Sequence, residues 1–467
     1  MPKPRYSGRL EPSPETAWLP DLLYDGASFR SGVALVVSQG RIVRLSRDAT
    51  DLAQARRLPG RALLPGLVNA HSHSFQRVLR GRTERRSAQS RDTFWTWRES
   101  MYHAAERMSP EAVYQAARMA FIEMLQNGIT TVGEFHYLHH QPSGAPYDDR
   151  NLLARAVLRA AAGTGIRIVL LRTAYARAGS GRPLESAQHR FVTPDPDDFL
   201  ADTEALRNSL PEGATLGVAP HSVRGLPVAY LERVAAYARA NALPLHIHAA
   251  EQPAEIDACL AEHNLRPVEL LAARSLLDPR TTLIHAIHVT PEEIAHLASS
   301  GARVCACPTT ERNLGDGIVD MRSLSAAGVP VCLGSDSHAQ IDLLEDAREL
   351  ELHLRLRSLE RAVLAPDASA GSLAARLFAC ATQAGAESLG IPADAADFFT
   401  VSLDDPALAG ADADSLLTHI VFAGGRPAIL DVFVAGKPVI EDGHHPLETE
   451  VAADFAALQR ELWRNAP

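Results

Sequence analysis

Cysteine is scarce in this chain. Five in 467 residues are too few, and odd in number, for a disulfide framework. Cys259, Cys305, Cys307, Cys332 and Cys380 mostly lie inside apolar runs, as reduced core thiols of a cytoplasmic protein do. Cys305-Ala306-Cys307 lacks the two-residue spacer of a thiolate zinc pair, so cysteine is not expected to bind metal. Basic excess is missing too. Against 46 Lys and Arg stand 56 Asp and Glu, a net charge of −10, with no basic stripe to suit nucleic acid or an anionic membrane. No apolar run approaches the ~18 residues of a membrane span. Met1 to Pro20 is polar and proline-rich, without the apolar stretch of a signal peptide. No glycine-rich phosphate turn follows an early strand, which counts against a doubly wound nucleotide-binding sheet. Low-complexity tracts and flexible linkers are absent as well.

What is present is ordinary globular sequence, 46% hydrophobic and 22% charged, too long for a single core. From Leu63 to Leu389 apolar strands alternate with amphipathic helices. Ser109-Pro110-Glu111 offers an N-cap with proline in the first helical position, and Thr290-Pro291-Glu292-Glu293 adds a capping-box glutamate. Strands are expected at 63–68, 130–134, 166–171, 215–219, 243–247, 281–284, 303–306 and 330–333. Eight strands alternating with helices predict an α/β fold, a (β/α)8 TIM-type barrel. The ends differ. Ala34–Leu45 reads as a hairpin turning at Gln39-Gly40, and Asp431–Ile440 as another turning at Gly436. Neither is stable alone, so residues 1–62 and 391–467 are expected to form one small β-sandwich beside a barrel of residues 63–390.

Metal-binding side chains cluster at the ends of those strands: His71 and His73 after the first, His248 and Glu251 after the fifth, His285 after the sixth, Asp336 after the eighth. Carboxyl ends of parallel barrel strands meet at one mouth. A lone strand-end histidine is usually a satisfied core imidazole; four such ends together imply a catalytic metal with an open position for water. The expected ligands are His71, His73, His248 and Asp336. His246, one layer deeper, is read as core or supporting the site. Neutral imidazoles with one carboxylate suit Zn²⁺, one per chain, and tolerate Fe²⁺ or Mn²⁺. Metal-bound water would ionise near neutrality and attack. Asp336 would take its proton, Glu251 would protonate a leaving nitrogen, and His285 would steady the charge that develops.

At these residues the chain resembles the amidohydrolase superfamily in its one-metal aminohydrolase branch: Pro65-Gly66-Leu67-Val68-Asn69-Ala70-His71-Ser72-His73, His248-x-x-Glu251, His285 and Gly334-Ser335-Asp336 follow its motifs in order. Further stretches narrow the resemblance to the formimidoylglutamate deiminases. They include Ser72–Arg77, Thr83–Arg86, Phe94–Glu99, Gly133–His140, Ala219–Arg224 and Cys307–Gly317. That resemblance implies hydrolysis of N-formimidoyl-L-glutamate to N-formyl-L-glutamate and ammonia in histidine degradation, by a zinc-dependent cytoplasmic homodimer. It also implies that Gln76, Arg98, Tyr137, His221 and Arg224 bind the substrate, with the two arginines clamping carboxylates. Phe94, Trp95 and Trp97 are expected to hold a long loop over the mouth, and His139 and His140 to lie at the surface or in loop packing. The rival reading is a deaminase of a purine, pterin or triazine ring, whose pocket would be apolar and aromatic rather than studded with arginines.

Overall fold

The computed structural model describes residues 15–84 and 92–464. Eight parallel strands follow one another in chain order around a barrel: β1 (Leu67–Ser72), β2 (Ile129–His136), β3 (Arg167–Ala174), β4 (Ala214–Pro220), β5 (Leu245–Ala249), β6 (Thr281–His285), β7 (Arg303–Ala306) and β8 (Val331–Leu333). Helices cover the outside, so the strands are buried on both faces and read as continuous apolar runs rather than alternating ones. Closure comes where β1 and β8 end. There the His73 N–H donates to the Asp336 carbonyl at 3.1 Å, and the Asp336 N–H to the His71 carbonyl at 3.0 Å. The seam of the barrel is thus sewn by the residues expected to hold the metal.

The first expected strand divides in two. Leu63, Leu64 and Pro65 end a strand, Arg56–Pro65, that pairs antiparallel with Phe398–Ser402 in a separate sheet; β1 starts only at Leu67. The hinge is Gly66, where a Cβ would stand 2.2 Å from Thr130 Oγ1. A boundary drawn after residue 62 therefore falls inside this strand.

Both termini build the separate sheet. Its order is Lys437–Ile440, Ile429–Val434, Phe398–Ser402, Arg56–Pro65, Thr16–Tyr24, Ala34–Ser38, Arg41–Ser46, with Phe29–Arg30 paired to Thr16–Tyr24. The two expected hairpins form its opposite edges, and the sheet curls until they meet. Ala396 N–H donates to Gly40 O at 3.0 Å and Gly436 N–H to Ala396 O at 2.7 Å. Trp18, Leu35, Val37, Leu63, Phe398 and Phe433 fill the space within. The last helix, Glu448–Leu462, packs on the barrel, where Glu450 pairs with Arg118 at 2.8 Å.

One expectation about the mouth is corrected. Arg98, Trp95 and Trp97 lie on a helix, α1 (Phe94–Arg107), capped when Thr93 Oγ1 accepts the Trp95 N–H, and not on a loop. A buried arginine fastens the other end of α1: Arg190 donates to the Ala105 and Met108 carbonyls and to His140 O. Arg85 and Arg86, part of the resemblance, lie outside the described residues. Helix α2 (Pro110–Gln126) follows with the expected Ser109 cap.

Candidate metal centre and active site

The strand ends carry their side chains to one point. One donor atom from each of His71, His73, His248 and Asp336 lies within 4.8 Å of all the others. Asp336 Oδ1 is 3.3 Å from both His71 Nε2 and His73 Nε2, and His248 Nε2 is 3.2 Å from His71 Nε2. Hydrogen bonds behind the rings decide which nitrogens face inward. His73 Nδ1 donates to the Phe135 carbonyl at 2.9 Å and His248 Nδ1 to the His221 carbonyl at 3.1 Å. A carbonyl can only accept, so each Nε2 presents its lone pair to the centre. Burial holds all three imidazoles below their ordinary pKa, and neighbouring rings push His71 and His248 further down, so all are neutral. Neutral nitrogens crowded round a carboxylate, with lone pairs converging, are the donor set of a divalent cation.

A buried chain of hydrogen bonds braces this centre from below. Ser72 Oγ donates to Glu134 Oε2 at 2.6 Å, so it must accept from His338 Nε2 at 3.1 Å. His338 Nδ1 then accepts from Ser335 Oγ at 3.1 Å, and Ser335 Oγ accepts from Asn69 Nδ2 at 2.7 Å. Every proton in the chain has one direction, consistent with a neutral His338, whose pKa burial drives well down. Glu134 also takes the Ser74 N–H at 2.8 Å; burial outweighs these bonds and lifts its carboxyl to about 7. The backbone is strained here. His285 and Asp336 adopt φ of +71° and +46°, a left-handed conformation costly to side-chain-bearing residues and common at functional sites.

Beside the centre, His285 sits among three carboxylates. Its Nε2 is 3.6 Å from Glu251 Oε1 and 3.8 Å from Asp336 Oδ2, and its Nδ1 is 3.2 Å from Glu311 Oε1. Burial opposes its charge, but Glu251, the Glu311 hydrogen bond and Asp336 together raise its pKa to about 10. Burial lifts Glu251 to about 7, with His285 pulling it down and Asp336 and Glu255 pushing it up. A carboxyl near 7 can hold a proton and surrender it at neutral pH.

One cavity opens over these groups. Every residue expected to hold the metal, act in catalysis or bind substrate lines it except His71, which lies fully buried behind. Gln76 Nε2 donates to Tyr137 Oη at 2.7 Å, leaving Gln76 Oε1 a buried acceptor without a partner. Arg98 stacks on Trp95 and Tyr102, with its guanidinium carbon 4.6 and 5.2 Å from the ring centres, and reaches Glu185 at 3.1 Å. Arg224 has no hydrogen-bond or ion-pair partner among the described residues, although it faces the cavity; only the more distant Tyr175, Glu255, Tyr102 and Glu251 balance its charge.

His246 Nε2 donates to the Ser388 carbonyl, 3.1 Å away, deep in the barrel, where a core residue is expected. Of the two readings given for His139 and His140, surface or loop packing, the second holds: both are buried in a loop. The walls of the cavity are more aromatic than the sequence suggests: Phe94, Trp97, Tyr102, Tyr137, Tyr175 and Phe191 all contribute. Tyr102 and Glu311 escape a reading of strand ends, since both come from helices, whereas Tyr175 directly follows β3 and could have been found there.

The sequence profile of the amidohydrolase family matches residues 62–439. The chain is 39% identical over 435 residues to the formimidoylglutamate deiminase of Pseudomonas aeruginosa, covering 91% of this chain and 95% of that one. Among solved structures, an amidohydrolase from Brucella melitensis superposes with a TM-score of 0.89 at 35% identity, over 96% of this chain and 99% of the other. An adenosine deaminase from Xanthomonas campestris with bound zinc shares the fold, with a TM-score of 0.81 at 22% identity over 97% of this chain and 100% of the other.

Proposed function

Because this chain belongs to the amidohydrolase family and is a hydrolase of carbon–nitrogen bonds, we propose that its reaction is the deimination of N-formimidoyl-L-glutamate to N-formyl-L-glutamate and ammonia, a step of histidine degradation. The observation that carries the reading is Arg224. A guanidinium with no partner among the described residues, facing a cavity, calls for an anion there. The carboxylates of a formimidoyl diacid supply it; an uncharged ring amine does not. The aromatic walls favour the rival ring deaminase, but they leave that arginine uncompensated. The name of the Pseudomonas aeruginosa relative adds independent support.

In this reading His71, His73, His248 and Asp336 hold one zinc ion, chosen because three neutral imidazoles and a carboxylate suit it. When bound, the ion supplies a Lewis acid and an acidified water. The protein does the rest. Arg224 and Arg98 grip the carboxylate end, and the free Gln76 Oε1 accepts a substrate N–H. Asp336 takes the proton released by the attacking water. Glu251, held near pH 7 by burial, delivers a proton to the departing nitrogen, and His285 opposes the charge on the tetrahedral carbon's substituents. A cytoplasmic homodimer belongs to the same reading and rests on the resemblance alone.

Arg224→Ala tests it. With N-formimidoyl-L-glutamate as substrate, KM should rise by ~10²-fold or more, the usual scale for truncating one partner of a buried charged pair. Unchanged kinetics would refute the carboxylate clamp.

A further inference from the structure

We propose that Glu311 is a positioning residue: by accepting the Nδ1 proton of His285 it selects the ring nitrogen that faces the reacting centre. The inference rests on the preceding reading, in which His285 acts there.

Helix α3 (Pro308–Leu314) begins directly after β7, and Glu311 stands one turn into it, buried. A single oxygen, Oε1, takes two donors: the Cys307 backbone N–H at 2.8 Å and His285 Nδ1 at 3.2 Å. The first bond anchors the carboxylate, because Cys307 is the N-cap residue of α3 and has no side-chain cap of its own. The second orients a ring that little else orients. His285 ends β6 in left-handed backbone, and its remaining polar atom, Nε2, meets only carboxylates at 3.6 and 3.8 Å, beyond hydrogen-bond length. A half-turn about the Cβ–Cγ bond would present carbon in place of Nε2 to Glu251 and Asp336. It would also leave Glu311 facing C–H, a buried carboxylate stripped of one donor. With Glu311 in place, Nδ1–H points down and Nε2 points up. The logic is that of a buried carboxylate behind a catalytic imidazole in hydrolytic triads.

A second reading of the same atoms is a metal site, since His285, Cys307 and Glu311 each offer a donor within 4.8 Å of the others. The geometry points away from it. His285 Nδ1 already faces an acceptor at hydrogen-bond distance, and burial with neighbouring acids pushes the Cys307 thiol far up, away from thiolate.

The test is a double-mutant cycle on zinc-loaded protein, measuring ammonia release from N-formimidoyl-L-glutamate together with zinc content and melting temperature. Glu311→Ala should lose kcat by ~10²–10⁴-fold, the range seen when an acid–base group or its orienting carboxylate fails, with KM and zinc content close to the unaltered protein. Glu311→Gln keeps a carbonyl oxygen that both N–H groups can reach, and should regain a substantial part of that loss. In a His285→Ala background neither substitution should cost more than about twofold further, because residues acting through one another are not additive. In ¹⁵N-histidine spectra the Nδ1–H of His285 should carry the downfield proton shift of a strong hydrogen bond in the parent, keep part of it in Glu311→Gln and lose it in Glu311→Ala. Full additivity with His285→Ala, or a lower melting temperature at unchanged kcat, would overturn the proposal and leave Glu311 as a helix brace. If Glu311→Ala does not fold, the cycle with Glu311→Gln decides on the same additivity criterion. Full activity in His285→Ala, or none in the unaltered protein, would instead sink the functional reading, and the proposal with it.

Discussion

Two glutamates near the centre differ in what they do. In the proposed reaction Glu251 is the proton donor. Glu251→Gln should retain zinc and substrate affinity while kcat falls by ~10²–10⁴-fold; near-normal turnover at full zinc occupancy would mean the acid lies elsewhere. Because Glu251 must be protonated to act and its carboxyl sits at about 7, kcat should decline as pH rises above that value. Glu134 is structural, and its protonation bears on stability. Burial lifts it from an ordinary 4.5 to about 7, so folding favours the neutral form. That contribution is whole below about pH 4.5 and is given up as pH climbs through 7, a span worth about 3 kcal/mol. Chemical unfolding of metal-free protein should therefore show Glu134→Gln gaining on the parent between pH 5 and 8. Parallel stability curves would contradict this. At this scale the sequence is readable where chemistry and position coincide: His71, His73, His248 and Asp336 each follow an apolar strand, and the structure brings them together. Tyr102 is not readable that way, because only the packing of helix α1 over the mouth brings it to the site, and Glu311 lies one helical turn beyond the end of β7.

Among the elements, the eight barrel strands are legible because each is a short apolar run between helices, and seven of them lie within about two residues of their expected start. The first is misplaced for a physical reason: Leu63–Val68 is continuous in hydrophobicity, and periodicity cannot register that the chain changes sheets midway. Only Gly66 marks the joint. Gly66→Ala should destabilise the protein by ~2 kcal/mol or more and lower its zinc content, since the new methyl collides with Thr130 and shifts β1, which carries His71 and leads directly into His73. Gly163→Ala is the control: in the helix Leu152–Thr164 a Cβ there meets nothing within 4 Å, so stability should hold or rise by about 0.5–1 kcal/mol. Equal losses in both would show that the tight contact at Gly66 is not what matters. Helix α1 eludes the sequence because Phe94-Trp95-Thr96-Trp97 has the composition of an anchored loop, and its cap is a threonine pair rather than a threonine–glutamate box.

At the scale of the whole molecule, barrel and terminal sheet share a strand-to-strand passage at Pro65–Leu67, and the seam between β1 and β8 is closed by ligand residues. Metal binding should then stabilise the entire fold. Removing zinc with a chelator should lower the melting temperature and readdition should restore it, by the amount mass action gives, roughly 4 kcal/mol at a thousandfold excess over Kd. An unchanged melting temperature would mean the four side chains bind no ion. That both chain ends enter one sheet is legible from two hairpins that could not stand alone; that the sheet curls until Gly40 and Gly436 approach through Ala396 is not, because it depends on contacts between opposite ends of the chain. The most direct test of the account is ammonia release by the zinc-loaded protein from N-formimidoyl-L-glutamate, with guanine and adenosine alongside. Rapid release from the diacid alone, abolished by chelation and restored by zinc, is the predicted result. Turnover of a ring amine with silence on the diacid would contradict it, and would leave Arg224 without the carboxylate on which the account depends.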